Sequence, residues 1–243
     1  MGSAFGWGLL AGSSLVLGGL AAFYIRMSLQ AIGLIMGFGA GVLISAVAFD
    51  LVEEAVDLEA TSWGPLLGIF AGCGVFFAGD WLIDRKGGGE RKDAGGAQES
   101  GSPLAIVLGS VLDGIPESTV IGLTIFKGGA VGAAYLTAVF ISNVPEAISS
   151  TAGLLASGWR KVSILSMWVA IALVSALASL AGYVLFQDAS PDVVGFVLCF
   201  AAGAILTMLA DTMIPEAYQQ GHKLTGVVTT LGFVIAFGLH QLD

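Results

Sequence analysis

The chain has 243 residues, of which 56% are hydrophobic and only 11% are charged, and its mean hydropathy is +0.91. Soluble domains carry about 25% charged residues, so the composition indicates an integral protein of the lipid bilayer rather than a soluble domain. The net charge of −9 argues against a nucleic-acid partner and suits surfaces that attract cations.

Apolar runs near the roughly 20 residues that cross a bilayer recur along the chain. They predict an all-α, polytopic membrane protein with eight transmembrane helices in a single domain over residues 1–243. The polar segment 84–103 is rich in Gly, Ser and charged residues, which predicts a disordered loop. We place the spans at about 4–25, 31–52, 63–83, 104–126, 130–156, 162–186, 193–215 and 224–242.

Glycines at four-residue spacing occur in spans two and three. Small residues at this spacing let helices approach closely in lipid, although chance spacing is an open alternative in a chain with 36 glycines. The two runs are Gly33, Gly37 and Gly41, and Gly64, Gly68 and Gly72.

The basic residues predict the orientation. Only Lys127 lies on one side of an eight-span arrangement, and the other eight Lys and Arg residues lie on the opposite side. Because basic residues concentrate on the cytoplasmic side, we expect a multi-pass protein of the cytoplasmic membrane with loop 84–103 inside and both termini outside. The eight are Arg26, Arg85, Lys86, Arg91, Lys92, Arg160, Lys161 and Lys223.

Residues 37–55 resemble residues 199–217, with identities such as Phe38 with Phe200 and Gly41 with Gly203. The same offset carries spans one to three onto spans six to eight, which run in the opposite direction. The pattern predicts a 3+2+3 inverted-repeat arrangement, a common plan among transporters.

Acidic residues end the two matching spans. They could line the routes to and from a central site, or they could be solvated helix ends. They are Asp50, Glu53 and Glu54 at the outer end of span two, and Asp211 and Glu216 at the inner end of span seven.

Spans four and five carry polar residues halfway through the membrane. A carboxylate at this depth costs a few kcal/mol or more, so it indicates a functional site. Asp113 and Glu117 share one helix face, as do Asn143 and Glu146. Carboxylate and amide oxygens suit hard divalent cations. These four residues therefore predict a midplane metal site between spans four and five, with a proton relay or a structural hydrogen-bonded cluster as alternatives.

Prolines lie beside both pairs. Pro116 and Pro145 each remove one helical hydrogen bond, which would free the carbonyl groups of Leu112 and Ile141. Backbone oxygens could thus join the site.

The pattern resembles the ZIP family of divalent-metal transporters, which have paired proline motifs on spans four and five. Here Asp113-Gly114-Ile115-Pro116-Glu117-Ser118 and Ser142-Asn143-Val144-Pro145-Glu146-Ala147 stand in those places. The chain is a divergent member by this resemblance, because Asp113 and Ser142 replace the motif histidines. Ser175 stands near the place of an acidic residue in span six, and loop 84–103 has no histidine.

The resemblance implies a non-enzymatic transporter that moves a divalent metal such as zinc, iron, manganese or cadmium toward the cytoplasm. Its single carboxylate site would lie among spans one, four, five and six. The metal would be cargo, and no resident cofactor is expected. The protein could assemble as a homodimer. The alternative functions are a metal-binding or sensing membrane protein without transport and an intramembrane aspartyl protease at Gly79-Asp80.

The charge bias gives a testable topology. Single-cysteine variants at Gly95 and Ser3 are probed with an impermeant thiol reagent on intact cells. We expect labelling at Ser3 and none at Gly95 until the cells are lysed. Labelling at Gly95 in intact cells would contradict the orientation.

Overall fold

A computed structural model describes residues 2–58, 63–88, 91–92, 94–95, 103–126 and 131–241. All regular secondary structure in these residues is helical. The helices form eight rods: α1 Gly2–Tyr24, α2 Leu29–Asp57, α3 Trp63–Asp84, α4 Pro103–Phe126, α5 Val131–Ala156, α6 Lys161–Phe186, α7 Pro191–Gly221 and α8 Leu224–His240.

Six of the described rods are long and apolar enough to cross a membrane, namely α1, α2, α3, α4, α6 and α7. The chain is therefore an all-helical, multi-pass membrane protein, as its composition predicts. The shorter α8 and the more polar α5 fall outside this class, so the count of eight crossings stays a prediction.

Glycines let the backbones of α2 and α8, and of α3 and α7, come into direct contact. A Cβ at Gly41 would overlap the Thr229 carbonyl, and one at Gly72 would overlap the Phe200 carbonyl. The contacts are reciprocal, because Gly203 meets Ile69 and Gly232 meets Phe38 in the same way. The four-residue spacing is thus a packing feature: Gly33, Gly37, Gly41, Gly68 and Gly72 all lie against neighbouring helices.

The long rods α2 and α7 share a second feature. Each changes to π-helix near its C-terminal end, at Ala46–Glu53 in α2 and at Leu209–Met213 in α7. Such wide turns often occur at functional sites. They contain three of the predicted acidic residues, Asp50, Glu53 and Asp211.

Helices α4 and α5 make little direct contact with each other. The first packs chiefly on α6 and the second on α1 and α2, whereas their short connection suggests close neighbours. Pro116 and Pro145 lie inside continuous helices. The space between the two helices is where the candidate site lies.

The close approach of α3 and α7 predicts that Gly72→Ala will be destabilising. The added methyl group must push Phe200 away, and overpacking typically costs about 1–3 kcal/mol. Gly74→Ala is a matched control on the same helix, because a Cβ there meets nothing within 4 Å. Thermal unfolding in detergent measures both, and equal midpoints for the two variants would contradict the packing.

Candidate metal centre

Three of the four predicted ligands line one small cavity. Glu117 comes from α4, and Asn143 and Glu146 come from α5. Leu15 of α1 and residues of α6 complete the wall. The four helices are those that the family resemblance implies, and Ser175 lines the cavity from α6.

Glu117 is the innermost acidic group of the cavity. Only 2% of the residue is exposed, and its Oε1 has no hydrogen-bond partner. Beside it, Trp168 donates a hydrogen bond of 2.8 Å from Nε1 to Thr151 Oγ1, which fixes the aromatic wall. A buried carboxylate oxygen without a partner is costly, so this oxygen is available to a ligand.

Asp113 lies outside the cavity lining and faces Arg91 instead. The guanidinium forms a fork on the carboxylate, with Nε 3.2 Å from Oδ2 and Nη2 3.1 Å from Oδ1. The same Nη2 lies 2.6 Å from Oδ1 of Asp80 on α3. Arg91 thus links α3 to α4 through two buried aspartates.

Lys92 extends the ion-pair network to α5. Its Nζ lies 3.2 Å from Asp113 Oδ2 and 3.2 Å from Glu146 Oε1. The ammonium group therefore forms an ion pair with each of the two carboxylates. The Lys92 carbonyl accepts a 2.6 Å hydrogen bond from Ser149 Oγ, which anchors the backbone to α5.

The two cations keep their charge. Burial alone would lower the pKa of Arg91, but Asp113 and Asp80 more than offset burial and raise it above its ordinary value. Burial likewise acts to lower the pKa of Lys92, and Asp113 and Glu146 outweigh burial and raise it, with a smaller contribution from Glu216. Among the described residues, no three His, Cys, Asp or Glu side chains converge as a group ready to hold a metal.

The described part of loop 84–103 departs from the sequence expectation. Arg91 and Lys92 are each only 1% exposed, whereas the composition predicts a solvated segment. Asp80 also belongs to the network, and sequence reasoning connected it only with a protease. The sequence contains the feature that could have identified Asp80, because an aspartate within an apolar span itself indicates a functional site.

The outer acidic residues do not join the central cluster. Asp50 is buried, lines a cavity between α2, α5 and α8, and lies 2.8 Å from Nδ1 of His240. Glu53 is exposed, and one of its oxygens lies 4.0 Å from Nε2 of the same histidine. His240 therefore faces both of these acidic residues. Glu54 on α2 is partly buried.

The two predicted residues of α7 differ from each other. Asp211 is exposed in an open groove between α3 and α7, beside Ile69 and Phe77. Glu216 is buried and adds to the negative potential around Lys92. Glu216 thus acts on the central network through Lys92, whereas Asp211 acts on its edge through Asp84, which lies 3.8 Å from Arg91.

The chain is similar to a curated protein over most of its length. The chain is 25% identical over 207 residues to an Arabidopsis thaliana protein named "putative zinc transporter", and the match covers 84% of this chain. The chain spans about a third (33%) of the length of that curated relative. A scan against models of protein families finds no match. The apolar helices agree with a multi-pass membrane protein.

Proposed function

We propose that the protein is a ZIP-type transporter that carries divalent metal ions across the cytoplasmic membrane toward the cytoplasm. Asp113, Glu117, Asn143 and Glu146 bind the ion. The observation that carries the proposal is the buried carboxylate cluster between α4 and α5, which already attracts two cations and leaves one Glu117 oxygen without a partner.

The family assignment rests on two supports. The chain carries the paired motifs Asp-Gly-Ile-Pro-Glu at 113–117 and Asn-Val-Pro-Glu at 143–146, and the match to the relative named as a zinc transporter covers most of the chain. With hard oxygen ligands and no motif histidine, the cargo is zinc, iron, manganese or cadmium without strong preference.

The 3+2+3 inverted repeat gives the protein a means of alternating access. The reciprocal glycine contacts and the paired π-helical segments support two related halves, α1–α3 and α6–α8. Such halves rock or slide around a fixed central site. In this arrangement α4 and α5 carry the ligands between them.

The route from outside begins at the cavity of Asp50. Tyr135 of α5 is fully buried, its hydroxyl has no hydrogen-bond partner, and it interacts electrostatically with both Asp50 and Glu117. It therefore stands between the outer acid and the central cavity. Glu216, near Lys92, marks the inner side of the route.

The aspartyl protease alternative is disfavoured by the surroundings of Asp80. An aspartic dyad needs two carboxyl groups that share one proton, whereas Asp80 and Asp113 have the Arg91 guanidinium between them. One observation favours a second candidate, a metal sensor without transport: Arg91 and Lys92 already occupy oxygens of Asp113 and Glu146. Metal binding without uptake in proteoliposomes would select the sensor.

The proposed ligands predict loss of uptake in Glu117→Gln and Glu146→Gln. Each change keeps the shape of the side chain and removes one charged ligand. Loss of a residue that merely supports a ligand lowers metal affinity about 10–100-fold, so a direct ligand should lower uptake at least about tenfold. Uptake of labelled manganese into proteoliposomes is the measurement. Asp188→Asn, an equal charge change at an exposed position, is the control and should keep wild-type uptake. Wild-type rates in both glutamate variants would contradict the site.

Selectivity provides a separate prediction at Asn143. The wild type should take zinc, cadmium, manganese and iron with similar preference in competition. Asn143→His leaves the charge unchanged and adds an imidazole to the cavity lined by Glu117 and Glu146, so discrimination toward zinc should rise. An unchanged ranking, or nearly exclusive zinc uptake by the wild type, would contradict the ligand assignment.

A further inference from the structure

The two buried loop cations occupy the oxygens that the proposed function assigns to the metal. Lys92 Nζ contacts Asp113 Oδ2 and Glu146 Oε1, and Arg91 covers both oxygens of Asp113. Together they bring two positive charges, the same charge as one divalent ion. A surface ion pair would not require burial of either side chain, yet each residue is only 1% exposed.

The fold provides space for this pair. A Cβ at Gly109 of α4 would overlap the Arg91 side chain at Cδ and Nε, so the glycine leaves the groove in which the arginine lies. On the opposite side, Ser149 of α5 donates to the Lys92 carbonyl at 2.6 Å. Helices α4 and α5 therefore hold the segment by contacts that are independent of charge.

Metal and Lys92 cannot share these oxygens. A divalent ion holds carboxylate oxygens at about 2.0–2.6 Å, roughly 1 Å closer than the ammonium does. The ion would also lie within a few ångströms of two like charges in a desolvated site, where repulsion is strong. Binding of metal therefore requires that the cations leave.

We infer that Arg91 and Lys92 form a tethered cation pair that competes with the metal for Asp113 and Glu146, and so sets the metal affinity of the site. The inference rests on the proposed function. Asp113 precedes Glu117 by one turn of α4, so the pair reaches the site from the N-terminal end of this helix. In the predicted orientation that side is cytoplasmic, so the pair enters from the cytoplasmic side and neutralises the empty site.

Two kinds of variant remove the competitor by different means. Arg91→Gln with Lys92→Gln removes the charges, whereas Gly109→Ala keeps every charge and fills the groove of Arg91. Arg85→Gln with Lys86→Gln is the matched control, because it removes the same charge from exposed positions of the same segment.

The binding measurement is a titration of full-length purified protein with Mn²⁺, in which electron paramagnetic resonance reports the free ion. If the pair occupies the site about nine-tenths of the time, its removal tightens the apparent Kd about tenfold. We expect this change in the charge-removal double variant and in Gly109→Ala, and a change below about twofold in the Arg85 and Lys86 control. Equal Kd values in wild type and both competitor variants would overturn the inference and leave the proposed function intact.

A second measurement is independent of affinity. Amine-acylation footprinting by mass spectrometry should find Lys92 protected and Lys86 reactive without metal, and Mn²⁺ or Gly109→Ala should expose Lys92. A Lys92 as reactive as Lys86 in metal-free wild type would overturn the inference. Persistent protection of Lys92, with no Mn²⁺ binding or uptake by any variant, would overturn competition and the proposed function together. That result would identify the pair as a fixed structural ion cluster.

Discussion

The arrangement of the site depends on one electrostatic constraint, the burial of several carboxyl groups between helices of a membrane protein. A buried charge is tolerated only when an opposite charge or several donors compensate it. Asp80, Asp113 and Glu146 receive that compensation from Arg91 and Lys92, whereas one oxygen of Glu117 has no hydrogen-bond partner. The same demand for positive charge that holds the two cations would hold a divalent metal.

The glycines influence which helices pack closely and where space remains beside the site. Close contacts at Gly41 and Gly72 bind α2 to α8 and α3 to α7, while α4 and α5 remain separated by the cavity. Gly109 leaves the groove for Arg91. Glycine thus has two distinct effects in this chain. It brings α2 against α8 and α3 against α7, and at position 109 it leaves space for the side chain of Arg91.

The sequence predicted the helical class and three cavity-lining residues, because helix periodicity places Asn143 and Glu146 on one face and one polar face must meet another. It could not predict the partners of Asp113. Arg91 and Lys92 lie in a segment whose composition is that of a solvated loop, and their burial arises from contacts with α3, α4 and α5 that no local pattern records. The role of Gly109 is likewise visible only in the structure, where the side chain of Arg91 packs against it.

The most direct test of the account is a structure determined with Mn²⁺ or Cd²⁺ bound, in which anomalous scattering locates the ion. The account predicts an ion bonded to oxygens of Asp113, Glu117, Asn143 and Glu146, with Lys92 withdrawn from Asp113 and Glu146. An ion bound only near Asp50 and His240, or a central ion with Lys92 still between Asp113 and Glu146, would contradict it.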